Sequence, residues 1–558
     1  MGCCIFIYDI MKKYLSIILT ASWMALSLVS CEDFLEETNK SGLTANPYFN
    51  TPEGIEGLVV SCYTPLRYWY GREEATNFTV TGTDILTKAA GHINTPVNDY
   101  SNDFKANNKG LNELWTWLYK AVNFTNEAMA RLEANELENK QVLMGEVAFL
   151  RAFYYWHIVE FWGKTHFSTQ PSAGAISTAN PTEVDVIYEQ IFKDLDLAIA
   201  QLPSVKERGG RITAWAAKAF KARMLLTRGQ KTAAAELAQE VITDGGFALF
   251  DDYGSLWDMA NSDGAGNSEV IWYVNYATDH LFNKELDDAT QIRNGGNNLH
   301  LMYNMKYDDQ PGMIRDILNG RPFNRYMPTR FMLELMDQES DQRWAGSFKW
   351  VWLMNNPGGI GDDYALMTDT AIWCINGVAS PEERAWANNR YQIYDLNDVY
   401  QADGTVKNRL RYIEISKFLD PSRATVGEDR SSRDAFVIRI SEMYLIVAEG
   451  LMETQSGVAV QYLNLLREKR ALAGKEADMQ VIASDLSLDF ILDERAREFI
   501  GEQLRWFDLK RTGKLIERVK AHNPDASNIN ANHVLRPYPQ NFLDAITNKE
   551  DFPQRGDY

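Results

Sequence analysis

The stretch from Ala214 to Gly246 reads AWAAKAFKARMLLTRGQKTAAAELAQEVITDGG. Ala222, Leu225 and Leu226 fall on one face of a first helical segment, and Ala234, Ala238 and Val241 on one face of a second, which is the periodicity of amphipathic helices. Gly229 separates the two segments and Gly245-Gly246 closes the second, as expected where a chain leaves a helix through a backbone conformation that a Cβ resists. Small Ala side chains let two helices approach closely, so the stretch predicts a packed helix pair. One pair leaves an apolar side open, and burying it requires further pairs stacked alongside.

Residues 440–474 read as another such pair. The same period predicts helices at about 111–134, 141–162, 183–201, 214–228, 231–243, 440–453, 458–473 and 488–505. Thr51-Pro52-Glu53 adds an N-cap, a proline at the first helical position and a first-turn acid, so a helix begins there. The length of each pair and its Ala placement resemble a tetratricopeptide repeat, although Lys218 stands where that repeat usually has an aromatic. Between the two helical blocks, residues 247–432 are richer in Gly, Asn, Pro and aromatics. Short apolar runs there, Val270-Ile271-Trp272-Tyr273-Val274 and Phe348-Lys349-Trp350-Val351-Trp352-Leu353, predict short β-strands among long loops.

The start of the chain gives an address. Lys12 and Lys13 precede a predominantly apolar run from Tyr14 to Val29, shorter than the roughly 20 residues a transmembrane span needs, and the run leads into Leu28-Val29-Ser30-Cys31. This resembles a signal peptide ending in a bacterial lipobox, with Cys31 diacylated as the mature N-terminus. Acyl chains contribute about 0.8 kcal/mol per buried CH₂, enough for two or more to anchor a protein without a spanning helix. Met11 is the more natural start, since Asp9 is unusual in the basic end of a signal. Of the remaining cysteines only Cys62 and Cys374 lie inside the mature chain, and in a chain long enough to build a large core both read as buried free thiols.

The formal charge of −20 and a pI near 4.9 repel phosphate backbones, which excludes nucleic acid as a partner. Catalytic motifs are absent: the seven His include no His-Glu-x-x-His, there is no Gly-x-Ser-x-Gly elbow, and Gly163-Lys164-Thr165 lacks the first Gly of a phosphate loop. No cofactor or metal is expected. Gly358-Gly359-Ile360-Gly361 lacks the flanking strand and helix of a dinucleotide site. In Asp493-Glu494-Arg495-Ala496-Arg497-Glu498 the acids lie at helical spacing from arginines and read as ion pairs. The Phe149, Phe153, His157, Phe161 ladder reads as core. With aromatics at 12% of the chain and 15 Trp, several in loop-like sequence, exposed rings point to a ligand with flat apolar faces.

Taken together the motifs resemble the SusD/RagB family of Bacteroidetes nutrient-uptake lipoproteins. The resemblance is carried by Cys31-Glu32-Asp33-Phe34-Leu35, by GEVAFLRAFYYWHIVEFWG from Gly145 to Gly163, and by Arg211 to Phe250. It continues through Ser268-Glu269-Val270-Ile271-Trp272, RISEMYLIVAE from Arg439, DERAREFIGEQLRWFDLKR from Asp493, and Arg536-Pro537-Tyr538-Pro539. The C-terminal Phe552-Pro553-Gln554-Arg555-Gly556-Asp557-Tyr558 departs from the family's usual Gln-Asn-Pro-Gly-Tyr. The resemblance implies a mainly α fold: about four TPR-like units with an irregular, loop-rich insert containing short β-strands. It also implies a non-catalytic outer-membrane lipoprotein, facing the cell exterior, that docks as a hinged lid on a SusC-like TonB-dependent transporter. Its ligands would be oligosaccharides or, in some branches, peptides.

The domain reading is a signal peptide at 1–30, a lipidated tether at 31–50, an N-terminal helical part at 51–246, a ligand-binding insert at 247–432 and a C-terminal TPR-like part at 433–558. Sugars stack a C–H face on rings and pair their hydroxyls with polar tips. On that ground Trp69, Tyr70, Asp84, His92 and Asn94 are expected to contact ligand from one segment, and Tyr303, Trp350 and Trp373 from another. Competing readings are a peptide-binding protein of the same fold, a glycoside-processing enzyme with two converging acids, and a pure assembly scaffold.

Overall fold

Thr51 caps the first described helix, Pro52–Ser61, by accepting the Gly54 N–H on its hydroxyl at 3.1 Å. The computed structural model describes residues 48–172, 174, 177–205, 209–279, 283, 296–356, 365–387 and 390–555. The signal peptide, Cys31 with its lipobox, most of the tether and Gly358-Gly359-Ile360-Gly361 lie outside the described residues.

Helices dominate, as read from the sequence. The principal ones are α1 (Lys109–Ala134), α2 (Lys140–Trp162), α3 (Val184–Gln201), α4 (Ala214–Thr227), α5 (Lys231–Asp244), α6 (Ile440–Leu451), α7 (Ser456–Lys469), α8 (Leu488–Phe499) and α9 (Arg505–Arg511). Asn108 caps α1 and Thr213 caps α4, each accepting a backbone N–H from inside its helix. Successive helices pack in pairs, α1 on α2, α2 on α3, α4 on α5 and α6 on α7. The partner that covers the Ala214–Gly246 pair comes from the far end of the chain: α6 lies directly on α5. Gly450 makes that approach possible, because a Cβ there would stand 2.6 Å from the Lys231 carbonyl and 2.9 Å from the Ala235 methyl. Arg223 of α4 donates to both carboxylate oxygens of Glu442 on α6, at 2.8 and 2.6 Å, with both side chains buried.

The expected helix at 488–505 is broken in two. Ile500 turns to an extended ψ, and Gly501 (φ +80°) and Gln503 (φ +63°) follow in the left-handed region. A Cβ on Gly501 would meet Phe418 at 2.8 Å, so the break also admits the edge of the insert's core.

Strand Val270–Val274 pairs antiparallel with Ala435–Arg439, closing the insert at its base. Leu86–Lys88, from the N-terminal part, pairs with Tyr326–Pro328; within the insert Phe348–Lys349 pairs with Glu414–Ile415, and Val351–Leu353, Thr370–Cys374 and Gln392–Tyr394 form a three-stranded sheet. Beneath lies a methionine- and aromatic-rich core that includes Met302, Met305, Met327, Met354, Trp344, Trp352 and Tyr412.

The acids and arginines of the family-like motifs meet in one buried cluster. Arg470 reaches Glu269 at 2.6 Å and Glu498 at 2.9 Å, Arg439 reaches Glu498 at 2.9 Å, and Arg343 bridges Asp341 at 2.7 Å and Glu494 at 2.8 Å. Burial works to raise the Glu494 carboxyl, yet Arg343, Arg467 and Arg497 pull it down to about 2. Burial also works to raise Glu498, but Arg470, Arg439 and Arg343 hold it well below the usual carboxylate range, so both glutamates stay ionised. Cys62 and Cys374 are buried free thiols whose pKa burial raises. Among the described residues no helix is long and apolar enough to cross a membrane, and no group of His, Cys, Asp or Glu could hold a metal ion.

Candidate functional site

Four of the eight expected ligand residues lie inside the scaffold, a departure from the expectation of exposed contacts. Trp69 is 3% exposed and sets its ring edge against His157 at 4.2 Å, and Tyr70 packs beside Phe153 at 5.9 Å. The short helix Leu66–Trp69 thus covers the aromatic ladder of α2, two apolar surfaces that each exclude water by burying the other. His157 is held neutral there, its pKa pushed down to about 3 mainly by burial. Asp84 is fully buried and accepts two bonds from Arg505, at 2.7 and 2.5 Å, and one from Arg518 at 2.9 Å. Tyr303 is buried between Tyr326 and Phe418, its hydroxyl donating to the Gly501 carbonyl at 3.3 Å.

The other four stand partly exposed. His92 accepts the Asn94 N–H on Nδ1 at 3.2 Å and sets its ring edge against Tyr326. Burial first, then the charges of Lys88, Arg325 and Arg409, bring its pKa to about 3, so it stays neutral. Asn94 accepts a bond from Asn108, tying this loop to the start of α1. Trp350 leans on buried Trp344 at 5.1 Å, and Trp373 lies in the middle strand of the three-stranded sheet.

Around Trp373 a surface takes shape. Side chains alternate across a strand, so Ile372 and Cys374 enter the core while Trp373 faces outward, opposite Val351 on one neighbour and Ile393 on the other. Tyr391 continues the row, its ring 6.3 Å from Trp373 and 5.4 Å from Trp386. Trp386 is 60% exposed, with the Arg390 guanidinium 5.0 Å from its ring centroid. The Tyr391 hydroxyl is buried with no hydrogen-bond partner among the described residues.

The ring strip is held firmly. Trp386 rides on helix Pro381–Ala387, whose start carries a reciprocal cap: Ser380 Oγ accepts the Glu383 N–H at 3.1 Å and Glu383 accepts the Ser380 N–H at 2.7 Å. One turn on, Arg384 donates to Asp395 at 2.5 Å and to Asp398 at 2.9 Å. Asp395 also caps Leu396–Val399 and accepts the Ala379 N–H. Burial would raise its pKa, but these bonds and the Arg384 charge lower it.

Trp386 and Tyr391 lie beyond the segment that sequence reasoning searched. Their signal was present in Ser380-Pro381-Glu382-Glu383-Arg384-Ala385-Trp386, a capping box followed by a large ring among charges. The arrangement offers the rings of Trp373 and Trp386 with the Arg390 guanidinium beside them, which suits a ligand with flat C–H faces and hydroxyls.

The chain as a whole is similar to known proteins. SusD-like protein P25 of Formosa agariphila is 26% identical over 538 residues, spanning 93% of this chain and 94% of that one. Among solved structures, a laminarin binding SusD-like protein superposes with a TM-score of 0.67 at 20% identity, covering 89% of this chain and 98% of that one. Surface glycan-binding protein A from Bacteroides thetaiotaomicron in complex with laminarihexaose gives 0.65 at 19% identity, covering 91% of this chain and 100% of that one. A family described as "Starch-binding associating with outer membrane" matches residues 33–226. Residues 268–550 match the model of the SusD family, and the chain belongs to that family.

Proposed function

We propose that this protein is a surface lipoprotein of the outer membrane, anchored through Cys31, that binds a neutral oligosaccharide and passes it to a SusC-like TonB-dependent transporter without catalysing its cleavage. The observation that carries the reading is the pair of Trp373, facing outward from the middle strand, and exposed Trp386 on helix Pro381–Ala387, linked through the buried ring of Tyr391. Similarity to proteins described as laminarin binding, or as glycan-binding in complex with laminarihexaose, supports the ligand class. In this reading residues 1–30 are removed, 31–50 tether the protein, 247–432 form the binding insert, and 51–246 and 433–558 form the scaffold. Trp350 and Trp373 are ligand contacts, joined by Tyr391 and Trp386, with His92 and Asn94 on a second loop. Trp69, Tyr70, Asp84 and Tyr303 act behind them by holding the scaffold in shape.

Calorimetry with laminarihexaose, other neutral oligosaccharides and oligopeptides tests the reading on wild type, Trp373→Ala and Trp386→Ala. Losing a central stacking ring is expected to weaken binding by roughly 2 kcal/mol or more. Affinity for a neutral ligand is expected to hold between low and high salt, where an ionic site would weaken through screening. Wild-type affinity in both variants rejects the strip, and strongly salt-dependent peptide binding replaces the oligosaccharide by a charged peptide.

A further inference from the structure

A second concave surface lies on the helical part, built from elements that the ring strip does not use. Trp115, Tyr119 and Asn123 follow one another at four-residue spacing along α1, and with His166, Gln170 and Phe542 they line a cleft of about 490 Å³. That volume falls within the roughly 300–1,000 Å³ range of small-molecule sites. Its floor is a cluster of rings, Trp115 standing 4.6 Å from Tyr119 and 4.5 Å from Phe542.

The polar groups are neutral. Among the described residues no Asp, Glu, Lys or Arg lines the cleft, in a chain whose formal charge is −20. His166 accepts the Asn180 N–H on Nδ1 at 2.8 Å, which places its ring proton on Nε2 as a donor, and burial lowers its pKa so that the ring remains uncharged. Asn123 accepts the Ser172 N–H through Oδ1, leaving its amide NH₂ to donate elsewhere. Gln170 adds a second exposed amide at the rim. A charged ligand finds no counter-ion here, and a purely apolar one leaves these amides without partners. Rings below and neutral donors at the rim match a sugar ring.

We propose that this cleft is a second binding site, taking the end of a neutral oligosaccharide. The ligand class rests on the glycan reading above, whereas the site does not depend on the ring strip. Two sites on one chain would let a long glycan bind more tightly than a short one through effective concentration.

The test uses the full-length protein with laminarihexaose as probe, read by calorimetric stoichiometry and saturation-transfer NMR. Asn123 is exposed, so Asn123→Trp fills the cleft mouth while giving up its bond to the Ser172 N–H, and Gln170→Trp serves as an independent second block; melting temperature checks both folds. Wild type is expected to bind two hexaoses, and each blocking variant one. In a Trp386→Ala background, either block is expected to weaken the residual binding at least tenfold. A stoichiometry of one in wild type, abolished by Trp386→Ala and untouched by either block, overturns the second site and leaves the glycan reading standing. Absence of saturation transfer from any neutral oligosaccharide overturns both. Displacement of bound hexaose by decanoate from the cleft alone would assign it to acyl chains and overturn the sugar proposal.

Discussion

Replacing Asp84 with Asn separates a scaffold role from a ligand role at a position that sequence reasoning placed in the binding site. The substitution keeps the side chain's shape and removes its charge. Arg518 retains bonds to Asp489 and Asp493, but for Arg505 the Asp84 carboxylate is the one ion-pair partner among the described residues, its remaining bond going to the Leu492 carbonyl. Breaking a buried pair by removing one partner costs about 3–5 kcal/mol, and since only one of the two guanidiniums is left uncompensated the lower end, about 3 kcal/mol, is expected. Unfolding entropy is about 2.1 cal/mol/K per residue, so a unit of roughly 500 residues from Glu56 to Tyr558 loses about 3 °C in Tm. Scanning calorimetry reads this directly. The pH dependence adds a sign. Burial alone would raise the Asp84 pKa, but Arg505 and Arg518 lower it. Its stabilisation is therefore fully present above the unfolded aspartate value, near 3.9, and is lost as pH falls through the lower folded value. Asp84→Asn should lack that part of the acid slope. An unchanged Tm together with lost oligosaccharide binding would refute the scaffold assignment and return Asp84 to the ligand.

Gly450→Ala is expected to push α6 away from α5, since its methyl would meet the Lys231 carbonyl and the Ala235 methyl, at a cost of about 1–3 kcal/mol in denaturant unfolding; a neutral result would mean that the helices shift freely. Cys31→Ala is expected to move the protein from membrane to soluble fractions, and a mutant that stays membrane-bound would show another anchor. Native purification in mild detergent is expected to bring a large TonB-dependent barrel with the wild-type protein, and repeated recovery of the protein alone would count against the proposed lid arrangement.

Local periodicity made the helical scaffold legible. The 3.6-residue pattern located α1 to α7 within a few residues, because an amphipathic helix writes its buried face into consecutive sequence. The same holds for the Phe149 to Phe161 ladder and for the ion pairs of Asp493 to Glu498. What the pattern could not contain was the helix break at Gly501 to Gln503, where Phe418 and Tyr303 of the insert occupy the space a Cβ on Gly501 would need. Nor could it say which rings face water. Trp69 and Trp386 look alike in composition around them, yet one is covered by α2 and the other rides on an exposed, capped helix. Exposure is a property of what else arrives at a surface, and for Trp69 that is a separate helix whose own sequence does not say where it packs. The sequence by itself therefore determined most of the helices, the charge and the family resemblance. The tertiary structure alone decided that α6 closes the Ala214 pair, that Asp84 belongs to two arginines, and that Tyr391 links Trp373 to Trp386.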